Sequence, residues 1–359
     1  MTTENNTETT GYKTTLAKMN DLFFPMIVEQ LENNKINFSQ YAKSCTINAI
    51  SAINSVLDAQ GISWNDPQLD RSTVTQILLS VATLQLNPTA SPREVFFQIR
   101  NVSYKGADGK PAWKKKIEMG IEGDGWDSLL SRFGRNIKMV YPYWLVREND
   151  EFTYPAFNGL DMIPPQWKPK GGGKVVRVVY PIQHTDGAVN YYIAEREDVK
   201  KNLIAHISNN LMNETFGIIT GKNKDGKDRT RYDATEEEKT QISAKKKEIL
   251  TQAKALDLEA LLDSVDFDKY ISPAWKEEQS REQMIIRKMR NNIVKKIPKD
   301  FSTSLEAEIY NENSDETYKA HRAEMIEVEA QALNNVDFVE VDGNTVNTDT
   351  GEIKSQPEF

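Results

Sequence analysis

Residues 95–146 read VFFQIRNVSYKGADGKPAWKKKIEMGIEGDGWDSLLSRFGRNIKMVYPYWLV. An apolar and aromatic run from Val95 to Tyr104 gives way to Lys105, Gly106, Asp108, Gly109 and Pro111, and a second run follows from Ala112 to Gly120. Two such runs around a Gly- and Pro-containing break predict an antiparallel hairpin with a loop of several residues. Side chains alternate along a strand, so Trp113, Lys115, Ile117 and Met119 share one face while Lys114, Lys116 and Glu118 share the other. A helix follows directly, with Trp126, Leu129, Leu130 and Phe133 at helical spacing and Gly134 as its stop. A further strand is expected from Ile137 to Val146.

Before this stretch the chain reads as helices. One starts near Leu16 and meets Pro25, a site of a start or a kink. The next runs from Phe38 to Gln60, with Tyr41, Cys45, Ile47, Ile50, Ile53 and Leu57 three and four residues apart and Gly61 closing it. A third covers Asp70 to Leu86 and stops at Asn87-Pro88. After the stretch, residues 148–174 hold Pro155, Pro164, Pro165, Pro169 and Gly171 to Gly173, the composition of a loop. Val175 to Ile182 and Val189 to Ala194 flank Asp186-Gly187 as a second hairpin, and a helix follows from Arg196 to Ser208. Thr235 to Leu262 reads as one polar helix with a thin apolar stripe. Ser280 to Pro298 reads as an amphipathic helix, with Met284, Ile285, Ile286, Met289, Ile293 and Ile297 on one side and basic residues on the rest.

Helices first, then hairpins and helices, favour an α+β fold over a doubly wound sheet. The expected architecture is a helical N-terminal part, a small antiparallel sheet of hairpins packed with helices, and a late basic amphipathic helix. The expected domains are a disordered N-terminus at 1–14, a folded domain over 15–300 with an insertion or partner-facing arm at about 210–270, and an acidic tail at 301–359. Within the tail one helix is expected near Thr317 to Leu333, and disorder beyond Asn334.

Charge is unevenly spread. The 359 residues carry a formal net charge of −8, yet residues 301–359 hold fourteen acids against Lys319, Arg322 and Lys354, which leaves residues 1–300 at +3. Arg93 to Arg147 has eleven basic residues against six acidic ones, and Arg281 to Lys299 has seven against Glu282 alone. A single cysteine, Cys45, excludes an intramolecular disulfide and a cysteine-based metal site. The polar N-terminus lacks an apolar signal region, and no stretch approaches the roughly 18 apolar residues of a membrane span, so a soluble, unexported, cytoplasmic chain is expected.

Enzyme signatures mostly fail. GIITGKN at Gly217 to Asn223 is one residue short of a P-loop and places Asn where Ser or Thr would bind magnesium. His184, His206 and His321 lie in different elements and never at i, i+4. No G-x-S-x-G elbow occurs. Glu118, Glu122 and Asp124 near Lys114 to Lys116 are the only carboxylates placed for a metal-dependent nuclease, and acids beside lysines on a sheet are more often surface pairs. No catalytic residue, cofactor or metal is therefore expected. Lysines and arginines in a groove, by contrast, neutralise phosphates in a salt-dependent way. Phe96, Tyr104, Trp113 and Trp126 beside them could stack on unpaired bases. The competing explanation is core packing for each aromatic and a solvated face for the lysines.

On these residues the chain resembles the RecT family of phage single-strand annealing proteins, over roughly Phe38 to Pro298. The family's Leu-x-Leu-x-Pro turn after an apolar helix is matched by Leu84, Leu86 and Pro88, and its glycine-flanked helix entry by Gly120 and Gly123. Its late helix is matched by Met284, Arg287, Lys288, Lys295, Ile297 and Pro298. Glu122 departs from it, standing where the family often has Lys, and region 210–270 is longer. The resemblance implies single-stranded DNA binding in a basic groove, assembly into rings or filaments, and ATP-independent pairing of complementary strands through an annealed duplex intermediate. The partners it implies are a 5′ to 3′ exonuclease and the single-strand binding protein of a bacterial host cell. On that reading Arg100, Lys105, Lys114, Lys116, Arg132 and Arg135 contact phosphates on the sheet side, and Arg287, Lys288 and Arg290 close the groove. The alternatives are a protein that coats single strands without pairing them and an interaction scaffold with no nucleic-acid role.

Overall fold

The alternation between Val95 and Ile121 folds as an antiparallel hairpin, and the elements around it follow in an α+β order. A computed structural model of the protein describes residues 14–105, 111–223, 226, 228–230 and 233–314, with the side chains of Ser103, Lys105 and Pro111 outside the description. It also describes the backbone of three short strands between 338 and 355. Helices α1 (Thr15–Asn33), α2 (Gln40–Ala59) and α3 (Arg71–Leu84) precede strands β1 (Val95–Lys105) and β2 (Pro111–Ile121). Helix α4 (Gly123–Phe133) leads to β3 (Ile137–Val140), β4 (Trp144–Arg147), β5 (Glu151–Thr153), β6 (Ala156–Asn158), β7 (Asp161–Ile163), β8 (Gln166–Lys168), β9 (Val175–His184) and β10 (Val189–Glu195). Then come α5 (Lys200–Leu211), α6 (Glu236–Ala255), α7 (Leu258–Asp263), α8 (Pro273–Lys276), α9 (Glu278–Val294) and α10 (Ser304–Ser314). Strands β11 (Phe338–Val341), β12 (Asn344–Asn347) and β13 (Ile353–Ser355) pair antiparallel among themselves. Among the described residues no helix is long and apolar enough to cross a membrane.

The chain divides into two compact units. The first contains α1 to α3, β1, β2 and α10. Its core is the predicted apolar stripes: Cys45, Ile50, Ile53 and Leu57 of α2 and Val74, Leu78, Val81 and Leu84 of α3 are buried. Thr14 and Ser39 cap α1 and α2 by accepting from the N–H groups of Ala17 and Ala42. Pro25 lies inside α1 without ending it. The folded part runs past residue 300, because α10 packs on α3 and buries Ile309 and Tyr310.

The second unit contains Ala90–Glu94 and Glu122–Asp300. Helix α9 packs on β9, β10 and α4 and buries Ile285, Ile286, Met289, Ile293 and Val294. Strand β9 pairs with β10 on one edge, and with β3 and then β4 on the other.

Several expectations are corrected here. The strand from Ile137 to Val146 is two strands, because Pro142 interrupts the ladder. Residues 148–174 are not a loop: β5 pairs with β8 and β6 with β7 as nested ribbons, whose three-residue strands are too short to show alternation. The helix from Arg196 is a 3₁₀ turn at Arg196–Val199 followed by α5. The helix from Thr235 to Leu262 ends at Ala255 and restarts at Leu258, with Asp257 capping α7 by accepting from the Ala260 N–H. Region 210–270 is not a surface arm throughout, since Leu258, Leu261, Leu262 and Phe267 are buried. The helix expected near Thr317 to Leu333 lies outside the described residues. Beyond Asn334, where disorder is expected, the described residues form β11 to β13.

Candidate nucleic-acid interface

Strands β1 and β2 pair in a continuous register that sets Arg100 opposite Lys116, Val102 opposite Lys114, and Phe96 opposite Gly120. Val95, Phe97, Ile117 and Met119 are buried, where β1 and β2 pack against α2 and α3, so the even-numbered side chains form the outer face. On the inner face Lys115 is tied down: its Nζ is 2.6 Å from the Asp66 carboxylate and its backbone bonds to Gln68 and Asp70. The Lys115 ammonium, with the Gln68 N–H, holds the Asp66 carboxyl below its ordinary value.

The outer face carries Arg100, Lys114, Lys116 and two aromatics. Arg100 pairs with Glu118 at 3.2 Å, with side chains 67% and 36% exposed. A pair so open to water is worth about 0–1 kcal/mol and yields readily to a phosphate. The Lys114 Nζ stands 4.9 Å from the centre of the Tyr104 ring. Tyr104 is 43% exposed and Trp113, at the far end of the inner face, 59%. Phe96 lies flat against Gly120, where a Cβ would come within 2.3 Å of its ring. Lys105 ends β1, and its side chain is outside the described residues.

The second unit holds the remaining five basic residues, in a different electrostatic setting. Glu122, at the entry to α4, accepts from Arg93 at 3.0 Å and from Arg287 at 2.8 Å. Gly123 brings the backbone close to this cluster; a Cβ there would sit 3.3 Å from both Arg287 Cγ and Arg290 Nη1. Arg290 is buried. It donates to the Tyr180 hydroxyl at 3.0 Å, to Asp124 at 2.8 Å and to Asp127 at 2.5 Å, and lies 4.4 Å from the Tyr143 ring. Burial opposes its charge, yet Tyr180 and the two carboxylates outweigh that and keep the guanidinium protonated. Burial raises the Asp127 carboxyl against the pull of Arg290.

Arg132 lies 3.6 Å from Glu94, which also accepts from the Ser128 hydroxyl. Arg135 pairs with Asp300 at 2.7 Å, both sides more than half exposed. The Lys288 Nζ lies 5.9 Å from the Trp275 ring and that of Lys295 4.4 Å from Trp126. Trp126 is buried, so its role is packing.

No protein-family model and no curated protein matches this chain.

The carboxylates weighed for a nuclease are each engaged with arginine: Glu118 with Arg100, Glu122 with Arg93 and Arg287, and Asp124 with Arg290. Among the described residues no group of three His, Cys, Asp or Glu could hold a metal ion. GIITGKN runs into an isolated bridge from Lys222 to Asp228, not into a helix N-terminus that could cradle a phosphate. His184 sits 3.2 Å from the Tyr192 hydroxyl and His206 accepts from the Ser272 N–H. His321 is outside the described residues. Sequence reasoning missed the Arg290–Asp127–Tyr180 cluster, whose members lie 53 to 163 residues apart. It also missed Arg93 as the second partner of Glu122.

Proposed function

We propose that this chain binds single-stranded DNA on the outer face of the β1–β2 hairpin and promotes ATP-independent annealing of complementary strands. The observation that carries this reading is the cross-strand placement of Arg100 and Lys116, with Lys114 against Tyr104 beside them. Residues on one face of a strand recur about every 6.8 Å, close to two stacked nucleotides at about 3.4 Å each, so the cations can follow one phosphate backbone. Tyr104 offers a ring to an unpaired base, a contact worth about 1–3 kcal/mol per base and tolerant of sequence. Bases held this way stay open to a complementary strand, and neutralised phosphates lower the repulsion between the two. Watson–Crick pairing then supplies the specificity, and no covalent bond changes.

In the second unit Arg135, whose pair with Asp300 is more than half exposed on both sides, is the better placed for phosphate. Arg132 and Arg287 serve Glu94 and Glu122, and Arg290 serves the interior. The resemblance to RecT proteins adds a 5′ to 3′ exonuclease that exposes the strands and a host single-strand binding protein that occupies them first.

The test is strand pairing. Two complementary labelled oligonucleotides are mixed with and without the protein, in the absence of nucleotide, and duplex formation is followed. Faster pairing that disappears at high salt is the expected result. Binding without acceleration would identify a coating protein, and no binding even at low salt would remove the nucleic-acid reading.

A further inference from the structure

The nested ribbons between β4 and β9 are pinned at the base and apolar around the tip. At the base, the Asp150 carboxylate accepts from the backbone N–H groups of Arg147 at 2.9 Å, Lys170 at 2.7 Å and Gly171 at 3.1 Å, and from the Trp167 indole at 2.9 Å. Trp167 stacks on Trp144 with centroids 5.6 Å apart. Beyond this base β6 and β7 pair Ala156 with Ile163, Phe157 with Met162 and Asn158 with Asp161, and turn at Gly159, which has φ +64°. Directly opposed residues share a face, so Phe157 and Met162 lie on one side of the ribbon, Ala156 and Ile163 on the other, and Leu160 at the end. Phe157 is 71% exposed, Leu160 fully exposed and Ile163 58% exposed.

A ribbon that lies flat on another protein needs one apolar face. This one is apolar on both faces and at its end, the pattern of an element with an apolar medium around it. Two features limit how deep it can go. The ladder satisfies only the N–H and C=O groups that point between β6 and β7, so the outward-facing ones need water. Asp161, the only charged residue from Tyr154 to Pro165, costs most at the centre of a bilayer and little near the headgroups. Behind the tip stand groups suited to the headgroup layer. Tyr154 is 55% exposed, and aromatic rings with a polar end favour that layer. Lys168 and Lys170 pair with Glu151 at 3.6 Å and 2.8 Å, yet both side chains remain more than half exposed and within reach of lipid phosphates.

We propose that the Phe157–Ile163 tip inserts into the interfacial layer of a lipid bilayer, so that the chain lies on a membrane without spanning it. Strands β6 and β7 have three residues each. That length is about 10 Å, which matches the depth of about 5–10 Å to which interfacial elements sink. The driving force is burial of Phe157, Leu160 and Ile163, and three side chains give weak, reversible attachment. Insertion therefore needs no anionic lipid and persists in salt, which separates it from any attraction of the basic hairpin to a charged surface.

Vesicles of phosphatidylcholine, which carry no net charge, are the probe, and no DNA is present. Cys45 is buried and is the chain's single cysteine, so an introduced cysteine takes the label. An environment-sensitive fluorophore on Leu160→Cys is expected to shift to the blue and brighten about twofold or more when vesicles are added, equally in dilute buffer and at about 0.5 M salt. The same fluorophore on Lys247→Cys, an exposed position on α6, is expected to stay unchanged. In vesicle flotation, Phe157→Ser with Ile163→Ser is expected to lower the bound fraction about fivefold or more, and Asp161→Asn to raise it. All three positions are exposed, so these changes leave the fold intact. No shift at position 160 would overturn the proposal and leave an apolar cleft of a partner protein as the tip's seat. An equal shift at position 247 would overturn it as general adsorption. A shift lost at high salt, or lost in Lys114→Ala with Lys116→Ala, would overturn it in favour of the hairpin's cations.

Discussion

Arg290 shares a helix with Arg287 and Lys288, and composition alone treats the three alike. Its guanidinium instead bridges Asp124, Asp127 and Tyr180 inside the second unit, where it holds two carboxylates that would otherwise repel each other. Removing one partner of a buried pair costs about 3–5 kcal/mol, because it strands the remaining charges. Arg290→Met is therefore expected to lose about that much stability in chemical denaturation. Arg290→Lys should recover only part of it, since an ammonium cannot reproduce the planar fork. Lys114 and Lys116 face outward on β2, and their contribution is expected in binding instead. Alanine at both should leave the melting temperature nearly unchanged, weaken single-strand binding, and reduce the slope of log K against log salt by about 1.4, at about 0.7 per phosphate. An unchanged slope would take them out of the site.

At the scale of elements, legibility followed the length and regularity of the local pattern. The β1–β2 hairpin, α2, α3, α4 and α9 were readable because eleven or more residues keep one period, and burial follows the face that the period assigns. The ribbons β5 to β8 were not, because strands of three residues carry no period and their prolines and glycines dominate the composition. The break at Asp257 hid because the residues around it are helix formers on both sides. The basic character of the candidate face was legible, but which cations face solvent was not, since Glu94, Glu122, Asp127 and Asp300 are brought to them from distant sequence. Within the hairpin, Phe96 over Gly120 is a further local dependence. Ala at 120 puts a Cβ into the Phe96 ring and is expected to cost about 1–3 kcal/mol, read as a lower thermal midpoint. In the Phe96→Ala background the same change should cost less, because the two positions share one contact.

On the proposed function, the deciding quantity for the whole molecule is the field that an approaching strand meets. The hairpin face is basic, but the full chain carries −8, and all of that excess lies beyond Ser314, where residues 315–359 hold eleven acids against Lys319, Arg322 and Lys354. Glu306 belongs to the folded part: it is buried and accepts from the Ser302 and Thr303 N–H groups at the start of α10. Ending the chain after Ser314 therefore keeps α10 and its packing on α3 while bringing the net charge to zero. Like charges repel over the Debye length, about 10 Å at 0.1 M salt and about 30 Å at 0.01 M, so the acidic segment is expected to oppose DNA most strongly in dilute buffer. The shortened protein should bind single-stranded DNA several-fold more tightly and associate faster at low salt, with the two proteins converging as salt rises. The measurement is a salt titration of binding for both. Equal affinities throughout would mean that the segment does not oppose the hairpin site, leaving a partner with a basic surface as the better explanation of its charge.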